Sequence, residues 1–239
     1  MADILLEVCV DDALGLAAAV AGGADRIELC AALSVGGLTP SVGLMAVAAR
    51  CGLPCHAMIR PRPGDFVFRA AEVAVMQTDI AAVRLAGLPG VVLGASLPDG
   101  RLDRAVLADL LDAAQGMDTT LHRAIDLSPD LEQATETALT MGFRRILSSG
   151  GQRTAPEGVA GLARMMAVAQ GRLVVMPGSG ISVESLPALH DLPLREVHAS
   201  CAAPLPSGGR ALAFGFQTEA DKRTDADRVR ALRQALARR

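Results

Sequence analysis

The sequence predicts an α/β fold, a single (β/α)8 barrel of the TIM type. Three observations carry that expectation. The chain has 239 residues, close to the ~250 typical of one such barrel. Eight β-rich runs alternate with Ala-rich amphipathic runs, and their starts lie 22 to 36 residues apart, the period of one β/α unit. The turn after the first strand reads Cys9-Val10-Asp11-Asp12, without the G-x-G-x-x-G that a doubly wound dinucleotide-binding sheet requires.

In chain order the expected strands are Ile4–Val10, Arg26–Ala31, Pro54–Pro61, Gly90–Ala95, Thr119–Asp126, Arg144–Gly150, Leu173–Gly178 and Glu196–Cys201. The helices between them announce their ends. Thr39-Pro40 and Ser128-Pro129 read as an N-cap followed by proline at the first helical position. Thr224 with Asp227 resembles a capping box, and Gly87, Gly116 and Gly142 follow helical runs as C-terminal caps do. Val73, Met76, Ile80 and Val83 repeat at 3,4,3 spacing, one apolar helix face. The stretch 202–223, with two Pro and three Gly, is expected to be an extended loop and a mobile lid. No linker or low-complexity segment divides residues 1–239, so one domain is expected.

Composition narrows the function. Hydrophobic residues make up 51%, enough for a sizeable core, and the net charge is -3. A general nucleic-acid binder needs a basic excess and stacking aromatics; this chain has no Trp or Tyr and five Phe. No apolar run approaches the ~18 residues of a membrane span. The N-terminus, with Asp3 and Glu7, lacks the basic start of a signal peptide. Five cysteines, at 9, 30, 51, 55 and 201, without an export signal suit reduced thiols in a cytoplasmic protein. A homo-oligomer stays open.

Strand parity then sorts the side chains, because alternate residues share a face. One parity is apolar: Leu6 and Val8, Ile27 and Leu29, Cys55, Ala57 and Ile59. The other carries Glu7 and Cys9, Glu28 and Cys30, His56, Met58 and Arg60, His122 and Asp126, and His198 and Ser200. The apolar set belongs against the helix ring, so the polar set points into the barrel. A structural barrel fills its interior with Val, Ile and Leu. Buried charges are costly unless paired, so Glu7 or Glu28 is expected to pair with Arg60. A network that merely sets strand register is the plain alternative.

Three chemistries are compatible with these positions. Acid–base work would fall to Glu7, Glu28, His122 and His198. An anion would be held by Arg60 and the glycine-rich strand ends Ser148, Gly150, Gly178, Gly180 and Ser200, because loops near strands seven and eight and the short helix opened by Ser182 commonly bind phosphate in barrels. Arg62 sits on the same Pro-stiffened turn as Arg60. Third, Glu7-Val8-Cys9 and Glu28-Leu29-Cys30 repeat one pattern on neighbouring strands about 4.8 Å apart, so Cys9 and Cys30 form a candidate copper(I) pair with Met58 nearby. Small buried cysteines are also ordinary core residues. The C-x3-C of Cys51 and Cys55 lacks the second pair a zinc site needs.

The segments LLEVCV, GADRIELCAALSVGGLTPS, HAMIRPRPGDF, LHRAID, RILSSGG, MPGSGI and EVHAS together resemble the copper homeostasis protein CutC family across essentially the whole chain. The resemblance implies a β/α barrel, a cytoplasmic location and copper handling. It places Cys30 in the family's ELC motif, aligns Cys9 with a cysteine of the EIC type, and puts Cys51 near a position suggested to bind copper in relatives. Two functions are therefore carried forward: copper binding, and an enzyme acting on a small anionic or phosphorylated metabolite.

Overall fold

The computed structural model describes residues 4–206 and 208–238; Asp3 of the acidic N-terminus and Ser207 of the 202–223 stretch lie outside them. Eight parallel strands form the barrel wall: β1 (Leu5–Val10), β2 (Arg26–Leu29), β3 (Cys55–Met58), β4 (Gly90–Leu93), β5 (Asp118–Leu121), β6 (Arg145–Ser148), β7 (Val174–Pro177) and β8 (Glu196–Ala199). The hydrogen-bonded order is β7-β6-β5-β4-β3-β2-β1-β8. First and last strands therefore pair, with Glu7 level with His198. At the seam between β7 and β8 the chains come close, since a Cβ on Gly178 would lie 3.3 Å from His198 Cβ. The fold is the expected TIM barrel, nearly closed.

Helices α1 (Ala13–Gly22), α2 (Val42–Ala48), α3 (Ala70–Leu85), α4 (Arg104–Ala113), α5 (Leu131–Met141) and α6 (Val159–Ala169) pack outside the first six strands. Between β7 and β8 the connection is a short 3-10 turn, Leu186–Leu189. The apolar strand parity faces this ring: Leu6, Val8, Ile27, Leu29, Ala57 and Ile59 are completely buried. On α3 the buried positions are Val73, Met76, Ile80 and Val83, the four that the spacing picks out. Each large apolar side chain so buried contributes about 1.5–3 kcal/mol.

Several boundaries differ from expectation, and each for a local reason. The strands are shorter, because residues past the ladder turn away to build the mouth. His122 and Asp126 leave β5 altogether: His122 caps a 3-10 turn over Arg123–Leu127. Helix caps lie one or two residues beyond the expected ones. Ser41 caps α2 and Asp130 caps α5, each accepting a backbone N–H, so Pro40 and Pro129 precede the cap instead of opening the helix. The last helix, α8 (Ala226–Leu236), follows α7 (Gly209–Ala213) and is capped by Asp225, not Thr224. Gly142 does end α5 in the left-handed conformation. The 202–223 stretch has more structure than expected. Its ends pair as an antiparallel ribbon, β9 (Ala202–Pro204) with β10 (Lys222–Thr224). Among the described residues no helix is long and apolar enough to cross a membrane.

Candidate functional site

The barrel interior is polar on two levels. The lower level is an ion-pair plug. Arg26 on β2 bonds Glu7 and Glu196. Arg145 on β6 bonds Glu196 at 3.0 Å and both oxygens of Asp118 at 2.9 and 3.1 Å. His56 lies 3.8 Å from Asp118, seated against Gly90, where a Cβ would strike its ring. Burial, the largest influence on it, lowers the His56 pKa to about 4, so the ring is neutral. Parity had expected Glu7 or Glu28 to pair with Arg60; the partner is Arg26. Extending the parity two residues back from Glu28 and from His198 points to Arg26 and Glu196, the signal that finds this layer.

The upper level surrounds a 340 Å³ cavity at the C-terminal ends of the strands. Of the expected site residues, Cys9, Glu28, Arg60, His122, Gly180, His198 and Ser200 line it, joined by Met58, Phe66 and Arg123. Parity singled out neither Phe66 nor Arg123: Phe66 lies on the loop beyond Arg60, and Arg123, on the parity opposite to His122 in the expected fifth strand, instead opens the 3-10 turn. Gly178 lies just behind the wall, packed on Leu147 and His198.

Other expected members lie elsewhere. Ser148 Oγ faces Asp126 and the Met165 sulfur, and Gly150 is pressed against the start of α6; neither lines the cavity. Asp126 organises that loop by accepting from the Ser149 and Gly151 N–H groups. Arg62 is engaged by Asp65 and Glu72. Cys30 is fully buried with Met58 and Val92, its Sγ 3.5 Å from Glu28 Oε2, and it does not line the cavity. Burial, reinforced by Glu28 and Cys9, raises its pKa well above the usual thiol value. Cys51 and Cys55 meet in the helix layer, their sulfurs 3.4 Å apart, with Cys55 against the Ala48 carbonyl.

Glu7 joins the two levels. It is wholly buried beneath the cavity, and its Oε1 receives the Nδ1–H of His198 at 2.9 Å. Burial opposes its charge, but Arg26 and His198 outweigh it and hold the carboxyl well below the usual range. Glu7 is thus an anion at neutral pH that orients His198, and it does not line the cavity. The other ring nitrogen, Nε2, points to Glu28 Oε2 at 3.8 Å. Burial opposes the charge on His198 too, yet Glu28 and Cys9 raise its pKa well above 6.5. Burial raises Glu28. Cys9 Sγ, a Glu28 oxygen and a His198 nitrogen lie within 4.8 Å of one another. Among the described residues this is the one group of three such donors close enough to share an ion, and it differs from the expected Cys9–Cys30 pair.

Across the cavity the wall is cationic. His122 accepts the Ala124 N–H at Nδ1, 3.2 Å. Burial and then the Arg60 charge lower its pKa to about 3, so it is neutral with its proton on Nε2. Arg60 donates to the carbonyls of Val35 (2.8 Å), Gly37 (3.2 Å) and Gly64 (2.8 Å). The Phe66 ring lies 4.8 Å from both the His122 ring and the Arg60 guanidinium carbon. Glu28 Oε1, Arg60 Nε and His122 Nε2 are all buried without a hydrogen-bond partner among the described residues.

Fold and mouth together define a β/α-barrel protein with a ligand-sized cavity ringed by thiol, carboxylate, imidazole and guanidinium. Comparison with known proteins narrows the class. The chain belongs to the CutC family, whose family model matches residues 4–203. It is 56% identical over 238 residues to a family protein CutC of Rhizobium meliloti, covering 99% of this chain and 97% of that one. A family protein CutC of Xanthomonas campestris pv. campestris is 42% identical over 236 residues, 97% of this chain and 98% of that one. The crystal structure of the protein named copper homeostasis protein CutC from Streptococcus agalactiae superposes with a TM-score of 0.78 at 29% identity, covering 82% of this chain and 98% of that one.

Proposed function

We propose that this protein takes part in copper homeostasis, as its family name states, by binding one copper(I) ion as cargo in the barrel mouth through Cys9, His198 and Glu28. The carrying observation is the approach of those three donor atoms to within 4.8 Å of one another. A thiolate and an imidazole suit copper, while the carboxylate is the harder partner. The Glu7–His198 hydrogen bond supports the reading, since metal-bound imidazoles almost always donate their second N–H to a carboxylate or carbonyl that fixes their orientation. Cys30, protonated and hydrogen-bonded to Glu28, stands behind the site and outside the cavity lining. Copper(I) and free thiols both call for a reducing compartment, so the reading places the protein in the cytoplasm.

The test is a competitive copper(I) titration against a chelator under reducing conditions. Cys9→Ser and His198→Gln should each weaken binding at least tenfold. Their combination should cost little more than either alone, because the ligands act as a unit. Cys51→Ser and Cys55→Ser should leave the affinity within about twofold. Equal, slight losses across all five cysteine variants would refute the site and mark the binding as adventitious.

A further inference from the structure

We propose that the Arg60–His122 wall of the cavity is a subsite for a small monoanionic 2-oxo acid, its carboxylate on Arg60 and its neighbouring carbonyl oxygen on His122. Neither residue belongs to the Cys9–Glu28–His198 group, so the inference does not depend on the metal reading.

Arg60 is 4% exposed, yet among the described residues it has no carboxylate partner; the groups it bonds are three neutral carbonyls. A buried cation without a counter-ion is costly, and here its Nε–H is left without an acceptor as well. His122 has the same character in neutral form. Its Nδ1 is occupied by the Ala124 N–H, so the proton sits on Nε2, also buried and unpartnered. Gly94 holds the ring in place, because a Cβ there would collide with Cε1 and Nδ1.

The wall thus presents one full positive charge beside one neutral N–H donor. That pairing discriminates among anions. Arg123 and His198 also line the cavity, but each is already paired, with Asp126 and with Glu7, so a phosphate dianion would find Arg60 alone uncompensated and would share the cavity with the Glu28 carboxylate and Cys9 thiol. A monoanion matches the one guanidinium there without a carboxylate partner among the described residues, and a carbonyl oxygen matches a neutral donor better than a second charge does. The Phe66 ring packs on both groups. It helps bury Arg60 Nε and His122 Nε2, which strengthens any charge interaction made there.

The experiment uses the full chain labelled with 15N-histidine, with a metal chelator present throughout and pyruvate as the probe. Saturable movement of the His122 Nε2 resonance is expected, together with a rise in melting temperature. Acetate, with the same charge and no carbonyl, should bind at least tenfold more weakly. Arg60→Met and His122→Phe, verified as folded by circular dichroism, should each lose at least tenfold in pyruvate affinity. If either variant fails to fold, the wild-type resonance and the acetate comparison decide. An unmoved His122 resonance, acetate equal to pyruvate, or folded variants that bind pyruvate normally would overturn the proposal. Because no metal is present, a failed copper titration leaves this result standing.

Discussion

Replacing Arg26 by methionine removes the cation at the centre of the lower plug. Arg26 and Glu7 are both almost wholly buried, and Glu7 keeps only His198 as a partner afterwards. Glu196 is less affected, since Arg145 still reaches it at 3.0 Å. Breaking one member out of a buried ion pair costs about 3–5 kcal/mol. A chain of this size shifts its Tm by about 2–4 °C per kcal/mol, so Arg26→Met should melt roughly 6–20 °C lower. The assay is urea unfolding followed by circular dichroism at pH 7, with melting as a second probe. The double variant Arg26→Met/Glu7→Gln should recover part of the loss, because the stranded carboxylate is gone. The sign with pH follows from Glu7. In the native protein its pKa is depressed, so its contribution is present above pH ~4.5 and is lost only as pH falls through the lower folded value. Without Arg26 that depression shrinks, and the difference between variant and native stability should narrow below pH ~4.5. A loss under about 1 kcal/mol, or a double variant no more stable than the single one, would refute the plug as described.

Two further outcomes are expected. Gly94→Ala should cost about 1–3 kcal/mol as an overpacking change in chemical denaturation and should displace the His122 imidazole signals by NMR; an unshifted His122 spectrum would show that the ring is not seated on Gly94. His56 and His122, with folded pKa values of about 4 and about 3 against ~6.5 unfolded, bind fewer protons folded than unfolded between those limits. Stability should therefore fall as pH drops from ~6.5 toward 3. His122→Asn should flatten that slope, and an identical pH profile in the variant would contradict a neutral buried imidazole.

The barrel was legible because parallel strands covered by helices are apolar on one parity, and that parity is plain in Leu6, Val8, Ile27, Leu29, Ala57 and Ile59. Parity also picked out Glu28, Arg60 and His198 around the cavity. It tells which side of the wall a residue faces, but not its depth or what stands before it. Cys30 has the right parity and still ends behind Glu28. His122 reaches the mouth from a turn, not from a strand. Ser148 and Gly150 sit in a glycine-rich strand end like that of Gly180, yet Asp126 draws their loop toward the helix layer, a long-range bond no local pattern announces. The plug arginines escaped notice because a charged residue opening a strand looks like a solvent-facing one.

The pairing of the first strand with the last also sets an order in time. His198 is 191 residues from Glu7, and the carbonyl beside Cys9 Sγ belongs to a residue 190 positions later. At the 5–20 residues per second of ribosomal synthesis, Cys9 emerges about 10–40 s before those partners exist. Throughout that interval its thiol is on a nascent chain without the partners that surround it in the finished barrel. The approach of Cys9, Glu28 and His198 at this mouth exists only when β8 docks on β1 and the ring is complete.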